Sequence, residues 1–84
     1  MVLEVLTPDE TLFSGEIESV SVPGINGKFQ VLENHAPIVS ALSNGSVEIK
    51  QSNGEVTTFR IEQGFIEVLR NEVSLLVHTP KAEE

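Results

Sequence analysis

Val47-Glu48-Ile49-Lys50-Gln51-Ser52-Asn53-Gly54-Glu55-Val56-Thr57-Thr58-Phe59-Arg60-Ile61 decides the fold class. Val47 and Ile49 alternate with Glu48 and Lys50, and Phe59 and Ile61 alternate around Arg60, on either side of an Asn-Gly pair. Alternation of period two is the signature of a strand with one face in a core and the other in water. Asn and Gly tolerate the positive φ of a type I′ turn, so the stretch is predicted to be a hairpin closed at Asn53-Gly54.

Outward from that hairpin the same pattern continues. Thr7-Pro8-Asp9, Ser14-Gly15, Pro23-Gly24, Asn26-Gly27, Ser43-Asn44-Gly45, Gly64 and Asn71 supply turn chemistry at short intervals. Between them Val20 and Val22, Phe29 and Val31, and Val73, Leu75 and Val77 mark buried phases, with Glu18, Ser19, Ser21 and Glu62 on wet ones. Asn71-Glu72 is a second predicted hairpin turn. Pro37-Ile38-Val39-Ser40-Ala41-Leu42 fits either a short helical turn or a bulged strand. Many short strands at this spacing predict an all-β fold, a small β-sandwich or flattened barrel. Residues 1–78 are expected to form that domain and residues 79–84, which carry no periodic apolar positions, a frayed tail.

Composition bounds what such a domain can do. A chain of 84 residues has room for one core. A net charge of −8 repels phosphate backbones and anionic headgroups, which argues against nucleic acid as a partner and against direct membrane insertion. Cys 0 removes disulfides, thiolate metal sites and a cysteine nucleophile. No run reaches the ~18 apolar residues of a spanning helix. Met1-Val2-Leu3-Glu4 lacks the basic start of a signal peptide, so the chain is expected to be cytosolic or a soluble part of something larger.

Catalysis has little to work with. A triad needs a histidine between a nucleophile and an orienting carboxylate, and the chain offers His35, His78 and the single aspartate Asp9, which its Pro-Asp turn explains. The histidines are far apart in sequence, without clustered ligands for a metal. Pro23-Gly24-Ile25-Asn26-Gly27-Lys28 lacks the Gly-Lys-Ser/Thr ending of a phosphate loop and precedes no helix. No catalytic residue, cofactor or metal is therefore expected. His35-Ala36-Pro37 stands apart, because Pro37 fixes its own φ and biases Ala36 to extended backbone, presenting the histidine on a stiff corner. A histidine that caps a turn is the competing reading.

Six segments, in order, carry a resemblance: Leu12-Phe13-Ser14-Gly15-Glu16, Val22-Pro23-Gly24, Gly27-Lys28-Phe29, His35-Ala36-Pro37, Gly64-Phe65-Ile66-Glu67-Val68 and Asn71-Glu72-Val73. Over Thr7 to Val77 the chain resembles the epsilon subunit of bacterial and chloroplast F-type ATP synthases, counterpart of the mitochondrial delta subunit. The resemblance implies a sandwich of about ten short strands, and it implies that the C-terminal helical pair usual in that subunit is lacking here. It further implies a noncatalytic part of the rotating central stalk that links the gamma subunit to the membrane rotor ring of c subunits and couples proton flow to ATP synthesis. By the same resemblance Thr7, His35, Pro37 and Ser40 fall at gamma-facing positions, and Asn26, Gly27 and Lys28 in the ring-facing turn. Such a subunit is expected to be monomeric when isolated and to lie peripherally at the cytoplasmic face of the bacterial cell membrane or an equivalent energy-transducing membrane. Lys28 stands where many relatives are acidic, Gln30 replaces a common glycine, Glu33-Asn34 a common Pro-Gly, and Gln63 the first glycine of a Gly-Gly pair. The alternative from another class is a free sandwich module for a peptide or carbohydrate, and the absence of Trp and Tyr argues against it.

Overall fold

A computed structural model of the chain describes residues 1–80. It contains eight strands: β1 (Val2–Leu6), β2 (Thr11–Gly24), β3 (Gly27–Leu32), β4 (Ile38–Leu42), β5 (Gly45–Gln51), β6 (Val56–Ile61), β7 (Gln63–Leu69) and β8 (Glu72–His78). They form one sheet in the order β1-β8-β7-β4-β2-β5-β6, with β3 also on β2 and β1 returning to β2. The circuit β2-β1-β8-β7-β4 closes at the pair Gly24↔Leu42, which makes a flattened barrel. From the far half of β2, strands β3, β5 and β6 spread as a second wing.

The core is aliphatic. Val20, Val22, Val31, Val47, Ile49 and Ile61 from the β3-β2-β5-β6 wing cluster with Leu3, Val5, Leu42, Ile66, Val68, Val73, Leu75 and Val77 from β1, β4, β7 and β8. Each fully buried Val, Leu or Ile contributes about 1.5–3 kcal/mol of transfer free energy. Phe13, Phe29, Ile38 and Phe59 pack against the rim of that cluster, and no buried side-chain polar atom lacks a partner among the described residues.

Several sequence expectations change. Among the described residues the strands number eight, not about ten; β2 runs unbroken through Ser14-Gly15, where Gly15 pairs with Leu3 and β1 supplies the ladder that a turn would have forfeited. Ser19 is buried, not on a wet phase. A bulge accounts for its environment, since Ile17 faces Gln51 and Ser19 faces Lys50, leaving Glu18 as the extra residue. The β5–β6 turn is not type I′. Only Gly54 takes positive φ, at 93°, while Asn53 instead accepts the Glu55 N–H at 2.9 Å through Oδ1. The β7–β8 hairpin forms, with Arg70 and Asn71 both left-handed at 52° and 63°. Of the two readings of Pro37–Leu42, the strand holds: Ile38 to Leu42 pair with Val68 to Gly64. Of the expected tail, residues 81–84 lie outside the described residues.

Candidate partner-docking face

Four strands that share the core on one side present their other side to solvent. Inward positions Ile66 and Val68 of β7 alternate with outward Phe65, Glu67 and Leu69, and inward Leu75 and Val77 of β8 alternate with outward Ser74 and Leu76. The register aligns Leu6 with Leu76, Leu76 with Phe65, and Phe65 with Ala41. The result is an unbroken apolar row across β1, β8, β7 and β4. Phe65 is 56% and Leu76 51% exposed, which places large apolar surface in water with no folding benefit. These residues line a concavity of ≈ 550 Å³ with Leu42, Thr7, Pro8 and Ile25, the last of which is 64% exposed. The next row, Glu4, Ser74, Glu67 and Val39, edges the apolar one with carboxylates.

Thr7 lies at one end of this face, just past Leu6. Its hydroxyl accepts the Asp9 and Glu10 N–H groups at 3.3 and 3.1 Å and donates to the Glu10 carbonyl at 3.2 Å, so its hydrogen-bonding capacity is used in shaping the 7–10 turn. Pro37 lies at the other end, immediately before β4, where Ile38 pairs with Val68. His35, in the same corner, is half-buried; its N–H donates to the Leu32 carbonyl at 3.1 Å and its ring bonds the Ala36 carbonyl at 2.7 Å through Nδ1. Turn capping and corner presentation thus describe the same residue. Facing a carbonyl oxygen, Nδ1 is the donor in that bond.

Ser40 sits differently. It shares the inward phase of β4 with Ile38 and Leu42, is half-buried, and its hydroxyl donates to the Ala41 carbonyl at 3.3 Å. It lines a second groove together with Asn26, Gly27, Lys28 and Val39, next to the first at Ile25 and Ala41. The residues assigned to two partners therefore adjoin, with Ser40 beside the 26–28 turn. Lys28 is exposed and makes no ion pair among the described residues. No group of three or more His, Asp or Glu among them could hold a metal, and no helix is long and apolar enough to cross a membrane.

Leu6, Phe65, Leu76 and Ala41 were not among the contact residues expected from the sequence. Their signal is an excess of apolar residues on the wet phase, visible in the doublets Phe65-Ile66 and Leu75-Leu76.

Comparison with known proteins gives this face its context. Residues 1–82 match the family model for the β-sandwich domain of the ATP synthase delta/epsilon chain. The chain belongs to that family. It is 49% identical over 74 residues to the ATP synthase epsilon chain of Chlorobaculum tepidum, covering 88% of this chain and 84% of the relative. The epsilon chain of Chlorobium limicola is 43% identical over the same shares of each. Members of the family are noncatalytic subunits of the synthase. The fold is shared with a chain in the mitochondrial ATP synthase of Euglena gracilis, described as OSCP, F1 and c-ring in one rotational state. The TM-score is 0.85 at 23% identity, with 92% of this chain aligned to 49% of that one.

Proposed function

We propose that this domain is a central-stalk subunit of an F-type ATP synthase, docked on gamma through the outer face of β1, β8, β7 and β4 and turned toward the membrane rotor ring through Asn26-Gly27-Lys28. The observation that carries the reading is the in-register apolar row Leu6–Leu76–Phe65–Ala41, with Thr7 next to its β1 end and Pro37 at the opposite end of β4. A surface of that kind calls for a lasting partner, and gamma is the occupant this reading assigns to it. His35 and Pro37 contact gamma at one end of the face and Thr7 at the other, while Ser40 contributes from beside the groove.

A rotor part must not deform under torque, and a close-packed barrel core resists changes of volume. Proton flow is then coupled to ATP synthesis without bond chemistry in this chain, which is peripheral to the membrane on the face that carries the stalk. Lys28 meets acidic or carbonyl-rich ring loops, the exposed ammonium being the positive group of that turn.

Co-expression with gamma and the ring subunits of the source organism tests the assignment. The wild-type chain is expected to be captured with gamma, and Phe65→Ser to weaken capture by about 1 kcal/mol or more. Lys28→Glu is expected to leave gamma capture intact and to lower proton-driven ATP synthesis in the assembled enzyme, most clearly at low ionic strength. Failure of the wild-type chain to bind gamma would overturn the proposal, and unchanged coupling would remove Lys28 from it.

A further inference from the structure

The corner that carries His35 is tied to a turn far away in sequence by a reciprocal pair of hydrogen bonds. The Asn34 backbone N–H donates to Asn71 Oδ1 at 2.6 Å, and Asn71 Nδ2 donates to Asn34 Oδ1 at 3.0 Å. Both residues have left-handed backbone, with φ of 66° and 63°, a conformation that asparagine accepts at less cost than most side chains. The Asn71 carbonyl in turn accepts the Val2 N–H at 3.0 Å, which pins the same residue to β1. The two turns meet because β4 pairs with β7 immediately beyond them, Ile38 opposite Val68.

The His35 ring bond to Ala36 inside the corner and the His35 N–H bond to Leu32 at the end of β3 set its local shape. The Asn34–Asn71 pair links that corner by hydrogen bonds to the β7–β8 turn, which the bond to Leu32 at the end of β3 does not reach. A loop held this way loses little conformational freedom when a partner lands on it, and that saving appears in the lifetime of the complex.

We propose that Asn71, which is not itself an assigned contact residue, is a positioning residue: through Asn34 it holds the Asn34–Pro37 corner ordered for docking. The inference rests on the reading of that corner as part of the gamma interface. It extends that reading to a residue on a different hairpin.

Asn71→Gly is the informative variant, since glycine keeps the left-handed backbone and the carbonyl bond to Val2 while deleting both side-chain bonds. In the free 84-residue chain, amide exchange at Asn34 is expected to speed up several-fold, with the melting temperature nearly unchanged. Dissociation from the gamma subunit of the source organism is expected to be about three- to tenfold faster, the equivalent of one or two modest hydrogen bonds. Asn71→Asp keeps the acceptor for the Asn34 N–H and is expected to recover most of the Asn34 protection. Unchanged exchange at Asn34 in Asn71→Gly would overturn the link itself. Faster exchange with an unaltered gamma off-rate, where His35→Ala does raise that rate, would overturn the positioning role. If His35→Ala leaves the off-rate unchanged, the corner is no part of the interface and the role falls with it; the exchange data tell that outcome from a failed link.

Discussion

Gly64 lies against the backbone of β8, and a Cβ placed on it would sit 2.5 Å from the Leu76 carbonyl oxygen and 3.0 Å from Val77 Cα. Neither atom belongs to a side chain that could move aside. Its neighbour Gln63 is exposed. This contrast explains why position 64 requires glycine while position 63 carries a side chain. Gly64→Ala should cost about 2 kcal/mol through overpacking, which for a domain of this size lowers the melting temperature by about 8–16 °C. Gln63→Ala should stay within about 0.5 kcal/mol. Thermal denaturation of the two variants side by side checks the assignment. Asn34 is the complementary case: its φ of 66° shows a left-handed backbone, which asparagine can supply without glycine's freedom.

Among the strands, the β5–β6 hairpin shows how far turn chemistry can be read locally. The bond from the Gly54 N–H to the Gln51 carbonyl at 2.9 Å closes a turn whose central residues, Ser52 and Asn53, stay out of the left-handed region, and Gly54 alone takes positive φ. Gly54→Ala should therefore cost about 1–2 kcal/mol in left-handed strain, although nothing lies within 4 Å of the added Cβ. Asn53→Ser retains an acceptor for the Glu55 N–H and should be nearly neutral, as it would not be if Asn53 were left-handed. Urea unfolding resolves the pair as a shift in midpoint at constant slope. Strand β2 is the opposite case. Its Ser14-Gly15 has the composition of a turn, yet β1 on one side and the alternation of Phe13, Gly15 and Ile17 hold it extended. Farther on, the bulge at Glu18 lets one strand serve first β1 and then β3 and β5.

At the scale of the whole molecule, adjacent leucines have opposite tasks. Leu75 is 0% exposed and Leu76 51% exposed. Leu75→Ala should cost about 2–5 kcal/mol as a core cavity, a large part of the ~5–15 kcal/mol that a small domain has in total. Leu76→Ala should change stability by less than about 0.5 kcal/mol while loosening capture by gamma. Calorimetry of the free chain and a gamma pull-down would separate the two effects, and equal losses of stability would refute the assignment of Leu76 to a docking face. By itself the sequence determined an all-β fold, the two hairpins around Asn53-Gly54 and Asn71, most of the inward positions such as Val47, Ile49, Val73 and Val77, and membership of a family. Those follow from period-two alternation, turn residues and ordered motifs, all of which are local or linear. Tertiary structure alone decided that β1 runs parallel to β8, that β2 continues through Gly15, and that Leu6, Leu76, Phe65 and Ala41 fall into one row. It also decided that Asn71 reaches Asn34. Alternation reveals which residues of a strand share a face but not which strand lies beside it, and a row across four strands exists only once those long-range registers are set.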